Sequence, residues 1–321
     1  METLLRSLSA CRLMVRFFAE EPVSMKHWIG AVLRNNFLYA AESIKDVQGI
    51  SLRQIIETLP LPEDHFLYRQ LKGGFPKGFF FDCSDLPAEA RGFTLDANRI
   101  YTFSMVLIGN QSKYKPLYVE ALRQMITRGF GHPVVSMTLI DITEISSRSE
   151  PDPVAESATV NVQLHFKTPV CLMHPSKKSV EGYQGKLNNF PSFYQFMRSL
   201  TYRLVTLCIL YAECRRFDTR DEMDNRIEQW ISSSVEAILL RADIQYERLL
   251  STPKTDNDTL YSMGGYTGRL IFGDVPSVFF PVLSEGSTFG VGGEINYGLG
   301  QYEVTIQAGR PQRKERMHPL R

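Results

Sequence analysis

Over Cys11–Ala19 apolar and polar residues alternate, with Leu13, Val15 and Phe17 on one side, which is the period of a half-buried strand. The period then lengthens. Ile29, Val32, Leu33, Phe37 and Ala40 recur at helical spacing, so Lys26–Ala41 is expected to be a helix, with Ser24 placed to cap it. Ser51–Leu59 predicts a shorter helix ended by Pro60. Gly78–Cys83 and Arg99–Ile108 predict strands, the second presenting Tyr101, Phe103, Met105 and Leu107 on one face. Pro116 opens a helix that Gly129 stops after Arg128, and the β-branched run Val134–Ile145 closes the set.

A polar stretch with two prolines, 146–157, reads as a linker. Beyond it the order of elements repeats. Thr159–Phe166 alternates as a strand. Pro191–Phe217 carries an apolar helical stripe from Phe193 to Tyr211, and a further helix is expected over Glu222–Leu240. Strands are expected over Ile244–Ser251 and Gly265–Phe272, a short helix over Val278–Ser284 and a last strand over Leu299–Ile306. Two similar halves imply an α+β chain of two tandem ferredoxin-like βαββαβ domains, 1–148 and 158–308, followed by a basic tail, 309–321, expected to be disordered.

The segment Gly290–Gly300 holds five glycines in eleven residues and leads directly into the last strand. A glycine-rich hairpin is the plain reading. The chemical alternative is a row of bared amides suited to an anionic backbone. A Walker loop is excluded because no Gly-Lys-Ser/Thr follows, and a dinucleotide fingerprint because the glycines close onto a strand.

The chain has 321 residues, 43% hydrophobic and 22% charged, with a net charge of +1, so basic surface must be local rather than global. Three basic clusters stand out: Lys113 and Lys115; Lys177, Lys178 and Lys186; and the tail 310–316. No apolar run is long enough for a bilayer, and the first nineteen residues do not read as a signal peptide. Five scattered cysteines without a CxxC pair argue against disulfides and zinc and suit the reducing cytoplasm. No metal-binding or Ser-His-Asp constellation can be argued from spacing, and no cofactor is expected.

Several residues resemble the CRISPR-associated endoribonucleases of the RAMP superfamily, which process precursor CRISPR RNA. They are Thr168-Pro169, Phe190-Pro-Ser-Phe193, Arg203-Leu204, Gly265-Tyr-Thr-Gly268-Arg-Leu and the closing glycine-rich segment, in that order. Gly30, Phe103–Gly109 and Arg128-Gly-Phe-Gly131 match more loosely, so the likeness covers about Cys11 to Ile306. It implies metal-independent cleavage by the RNA 2′-hydroxyl, leaving 2′,3′-cyclic phosphate and 5′-hydroxyl ends. RNA would lie against the glycine-rich loop (Gly290, Gly292, Gly293, Asn296, Gly298 and Gly300) and the cleft between domains. Many members carry a basic residue inside this segment, whereas here Gly293 and Glu294 occupy it, so the loop would bind with less cationic help.

Such cleavage needs a group that exchanges protons near neutrality, and histidine fits. Family enzymes often place a catalytic histidine on the first helix with a glycine just after it, and His27 to Gly30 resembles that arrangement. By its residues alone His27 reads as a surface group near a helix cap. The resemblance makes His27 the proton-transfer candidate, with Lys26 or Lys45 supporting the phosphate and Lys113, Lys115, Lys177 and Lys178 on the RNA backbone. His132 is the runner-up but reads more as a turn residue. His174 beside the lysine loop could touch RNA, whereas His65 and His318 read as exposed. His165 points away from the apolar face of its strand, and Tyr39 reads more as core than as a phosphate-orienting group. The expected partners are CRISPR repeat RNA and other subunits of a CRISPR effector complex, with no membrane, and the chain a monomer or homodimer. The alternative function is a non-catalytic RNA-binding subunit of such a complex, and a third reading is a scaffold with no RNA role.

Overall fold

The structure is a computed structural model, and it describes residues 7–87, 93–131, 134–145, 159–172, 190–212, 214, 216–250 and 262–307. The expected linker, the Lys177/Lys178 loop with His174 and Lys186, His132, and the basic tail with His318 lie outside the described residues. The fold is mixed α+β with two separate four-stranded antiparallel sheets.

In the N-terminal half, β1 (Ala10–Ala19), β3 (Phe79–Asp82), β5 (Tyr101–Ile108) and β6 (Met137–Ile145) pair in the order β3-β5-β1-β6. The alternation of β1 buries Leu13, Val15 and Phe17 on one face. Its other face carries Arg12 and Arg16, which pair with Asp82 on β3, two strands away, and with Asp141 on the adjacent β6. Helices α1 (Ile29–Ser43) and α4 (Lys115–Arg128) bury Leu33, Phe37, Tyr118, Leu122 and Met125 in the same core as those β1 side chains. Phe37 stacks on Tyr118 at 5.8 Å and packs edge-on to Phe81.

Both faces of β5 are buried. Tyr101, Phe103, Met105 and Leu107 join the N-terminal core as expected. Val106 and Ile108, with Phe80 of β3, instead belong to the core of the C-terminal half. The apolar run Met105–Ile108 in this strand therefore marks a sheet covered on both sides there.

The C-terminal half has β7 (Thr159–Val170), β8 (Ile238–Leu250), β9 (Ser262–Pro276) and β10 (Tyr302–Gln307) in the order β10-β7-β9-β8. Helices α5 (Phe193–Tyr211), α6 (Arg220–Ile231) and α7 (Phe280–Phe289) share its core. A capping box starts α5, where Ser192 accepts from the Gln195 amide while the Gln195 side chain accepts from the Ser192 amide. Ser51 and Gln54 start α2 (Leu52–Glu57) in the same way.

Several local expectations fail. The helix over Glu222–Leu240 stops at Ile231. A 3-10 turn covers Ser232–Glu236, and Ile238 already belongs to β8, whose length was underestimated. Ser24 does not cap α1. It lies exposed in β2 (Val23–Met25), which pairs with β4 (Phe93–Leu95), a ribbon too short to show a period in the sequence. Trp28 takes the N-cap position with no side-chain cap bond, so α1 starts three residues later than expected. The short helix α3 (Tyr68–Leu71) was likewise not anticipated.

Candidate functional site

The late start of α1 puts His27 in the link between β2 and the helix, directly ahead of three residues that meet the glycine-rich segment. The Trp28 indole donates to the Tyr297 carbonyl at 2.6 Å. A Cβ on Gly30 would collide with that same carbonyl oxygen, so only glycine permits this approach. One turn further along, the Arg34 guanidinium lies 4.5 Å over the Tyr297 ring. These contacts join the first helix of one half to the last loop of the other.

The amides of that loop are not a bared row. Gly290 N–H donates to Gly286, Val291 to Gly300, Gly293 to Cys171, Gly298 to Ile295 and Gly300 to Pro169, all at 2.8–3.0 Å. Val291, Ile295 and Leu299 are buried. This corrects the expectation of a cradle built from successive free amides at Gly290, Gly293, Gly298 and Gly300. The glycines serve close packing: at Gly292, φ is +90° and a Cβ would strike the Cys171 carbonyl. Asn296 sits half-buried beside Tyr297 at the tip. Arg203, quoted in the family pattern, donates from Nε to the Phe289 carbonyl at 3.1 Å, where a cation suits the helix C-terminus. Burial lowers its pKa to about 10.

His27 is half-buried, and its Nδ1 is shielded from solvent with no hydrogen-bond partner among the described residues. Burial, and secondarily the charge of Lys26, holds its imidazole below the usual histidine pKa. At neutral pH the ring is therefore uncharged and able to accept a proton. Lys26 is exposed beside it. Lys45 is not part of this site. It lies exposed beyond the far end of α1, and fifteen helical residues place it roughly 20 Å from His27.

The other lysines also scatter. Lys115 is held by Glu144 at 2.8 Å, and Lys113 lies 4.9 Å over the Tyr114 ring. Neither has a contact with the glycine-rich segment among the described residues. His165 stands 3.6 Å from Glu303, and His65 stacks on Phe66 while accepting from the Leu67 amide. Tyr39 is 63% exposed with the Arg128 guanidinium 3.9 Å over its ring, which corrects its reading as core. Among the described residues no group of three or more His, Cys, Asp or Glu stands close enough to hold a metal ion.

Trp28, Arg34 and Tyr297 are the site residues that sequence reasoning missed. Their only local trace is an indole two positions ahead of a helical glycine with an arginine one turn beyond it.

A family model described as CRISPR-associated endoribonuclease Cas6 matches residues 164–302, from within β7 through the glycine-rich segment to the first residue of β10. Over that stretch the chain is similar to the Cas6 family. A second model, described as an N-terminal domain, matches residues 8–166. Among solved structures, a partial Cas6-RT-Cas1–Cas2 complex is 12% identical with a TM-score of 0.57, covering 94% of this chain and 46% of that one. The chain thus spans about half the length of that relative. A Thermus thermophilus Cas6 product complex is 12% identical with a TM-score of 0.52, covering 92% of this chain and 99% of that one. At such identities these two show a shared fold. No curated protein matches the chain. Among the described residues, no helix is long and apolar enough to cross a membrane.

Proposed function

We propose that this Cas6-type chain is a metal-independent endoribonuclease that cleaves CRISPR repeat RNA in precursor transcripts. The strand order in each half, the fourth strand, then the first, third and second across the sheet, supports the reading of two tandem ferredoxin-like domains. In this reading the domains are 1–148 and 158–308, and RNA lies where α1 meets the loop between α7 and β10. The observation that carries the reading is the placement of half-buried His27, its Nδ1 without a partner among the described residues, directly before the residues that clasp that loop.

His27 accepts the proton of the 2′-hydroxyl or, once charged, returns one to the departing 5′-oxygen. The freed 2′-oxygen attacks the adjacent phosphorus and the bond to the 5′-oxygen breaks, leaving a 2′,3′-cyclic phosphate and a 5′-hydroxyl. Lys26 stabilises the charge that builds on the phosphate oxygens. With the buried loop amides engaged, RNA meets the exposed side of the Gly292–Tyr297 tip. Lys113 and Lys115 contact backbone only where the strand extends beyond this junction, and Lys177 and Lys178 remain candidates for the RNA backbone.

The test is cleavage of a repeat RNA in EDTA with analysis of the product ends. Cleavage by the wild type, lost in His27→Ala, supports the enzyme. Binding without cleavage by the wild type supports the non-catalytic RNA-binding subunit, the alternative favoured by the separation of Lys45 from His27.

A further inference from the structure

The glycine-rich segment has a second neighbour besides α1. Gly293 donates to the Cys171 carbonyl at 2.8 Å, one residue past the end of β7. Val170, the last residue of β7, pairs with Tyr266 of β9, and Tyr266 pairs with Tyr246 of β8. Three neighbouring strands therefore lead from the segment to the outer edge of the C-terminal sheet. The two tyrosine rings meet edge-on, with centroids 5.3 Å apart and planes at 80°.

By strand alternation Tyr246 lies on the same face of β8 as Ala242 and Ile244, which pack against the C-terminal core. Tyr246 itself is 52% exposed, so that face opens to solvent at this point. The ring reaches across to β9 over Gly264, where a Cβ would stand 2.6 Å from the tyrosine hydroxyl oxygen. Glycine at 264 thus leaves the room in which the ring lies. Arg248 stands two residues beyond Tyr246, about 7 Å along the strand on the same face. It is exposed and pairs across the strands with Gly264, which has no side chain to engage it. Among the described residues Arg248 has no carboxylate within ion-pair distance, whereas Arg241 on the same strand is held by Asp243 at 2.6 Å. Glu247, between the two, points to the opposite face and accepts from Gln245 and Thr267. A positioned, exposed ring next to an unspent guanidinium offers a stacking surface and a phosphate contact together.

We propose that Tyr246 and Arg248 form a platform for one unpaired nucleotide of the RNA, its base stacked on the tyrosine and its phosphate held by the arginine. The inference rests on the RNA-processing reading. It adds a subsite reached through Cys171 and Gly293, not through α1 and Tyr297. It also adds a requirement on the substrate: the strand is single-stranded where it crosses β8, because a paired base has no free face to stack. The planar guanidinium suits its part because its fork donates two parallel bonds to phosphate oxygens.

Two labelled probes test this by fluorescence anisotropy across a salt series with the full chain: a CRISPR repeat RNA, and the same RNA annealed to its full complement. Tyr246→Ala should weaken binding of the repeat RNA about tenfold, the loss of one base stack, with the slope of log affinity against log salt unchanged. Tyr246→Phe keeps the ring and should bind within about twofold of the wild type. Arg248→Gln should instead reduce the slope by about 0.7, one phosphate contact on a single strand. On the annealed probe Tyr246→Ala should match the wild type. Wild-type affinity for the repeat RNA in Tyr246→Ala, with cleavage retained, would overturn the platform and leave the RNA-processing reading intact. So would an equal loss in Tyr246→Phe, an equal loss on the annealed probe, or an unchanged slope in Arg248→Gln. A wild type that binds neither probe would overturn both readings.

Discussion

The link between the second helix and the fourth strand is built twice in this chain, and the two versions behave differently. In the N-terminal half, Gly129 ends α4 and the chain closes on itself through paired bonds between Phe130 and Val135. Phe130 is buried and packs edge-on to Phe17 at 5.9 Å, so this link anchors its own core. In the C-terminal half the corresponding link is Gly290–Gly300. It is tied to the end of β7 through Cys171 and Pro169, then carries Tyr297 across to α1 of the other half. The same topological position is a local turn in one half and a clasp between halves in the other. Chemistry should follow the clasp, because only there do groups from both halves converge.

Breaking each link tests that contrast most strongly. Gly30→Ala drives a methyl into the Tyr297 carbonyl, and Gly129→Ala drives one into the Val135 carbonyl at φ +84°. Each should cost about 3 kcal/mol, read from the urea midpoint at constant m-value. Only Gly30→Ala should also lose RNA cleavage at temperatures where the protein is still folded. Equal loss in both would show that the two links do not differ in role.

Next in size, His27→Ala should slow single-turnover cleavage at least about a hundredfold while leaving the thermal midpoint nearly unchanged. A comparable loss of stability would make His27 a packing residue. Trp28→Phe keeps most of the buried ring but leaves the Tyr297 carbonyl without its donor. It should cost about 1–2 kcal/mol by denaturant titration and weaken cleavage less than His27→Ala.

A smaller effect sharpens the electrostatics. With His27 as the proton acceptor, activity requires its uncharged form, and its lowered pKa places the acid limb of the rate profile below pH 6.5. As pH falls through that lowered value the ring protonates and the rate drops. Lys26→Gln removes the secondary cause, so the limb should move up towards 6.5 without reaching it, because burial remains. A limb that does not move would remove Lys26 from the site. The smallest effect is expected at Lys115, which is engaged by Glu144 away from the clasp: Lys115→Ala should change cleavage by less than about twofold.

The core pattern was legible residue by residue. Leu13, Val15 and Phe17 alternate, Leu33 and Phe37 recur at helical spacing, and all five are buried where those periods place them. The repeated order of elements also anticipated two antiparallel sheets with matching strand order. The α1 start was misread because β2 and β4 are three residues each and hold together only by pairing across a long gap in the chain. The run past Ile231 was misread because Ile238 fits a helical stripe as well as an edge strand.

The candidate site was legible only in outline. His27 and the glycine-rich segment stood out in the sequence as separate features, and the likeness to RNA-processing enzymes joined them on paper. Periodicity, turns and caps follow from covalent geometry and neighbours a few residues away, so the sequence alone determined them. Which loop amides are already satisfied, that Lys45 stands a helix-length from His27, and that Trp28 and Arg34 meet Tyr297 depend on bonds and burial between residues up to 269 positions apart. Those were decided by tertiary packing, because hydrogen bonding and desolvation respond to spatial neighbours rather than to order along the chain.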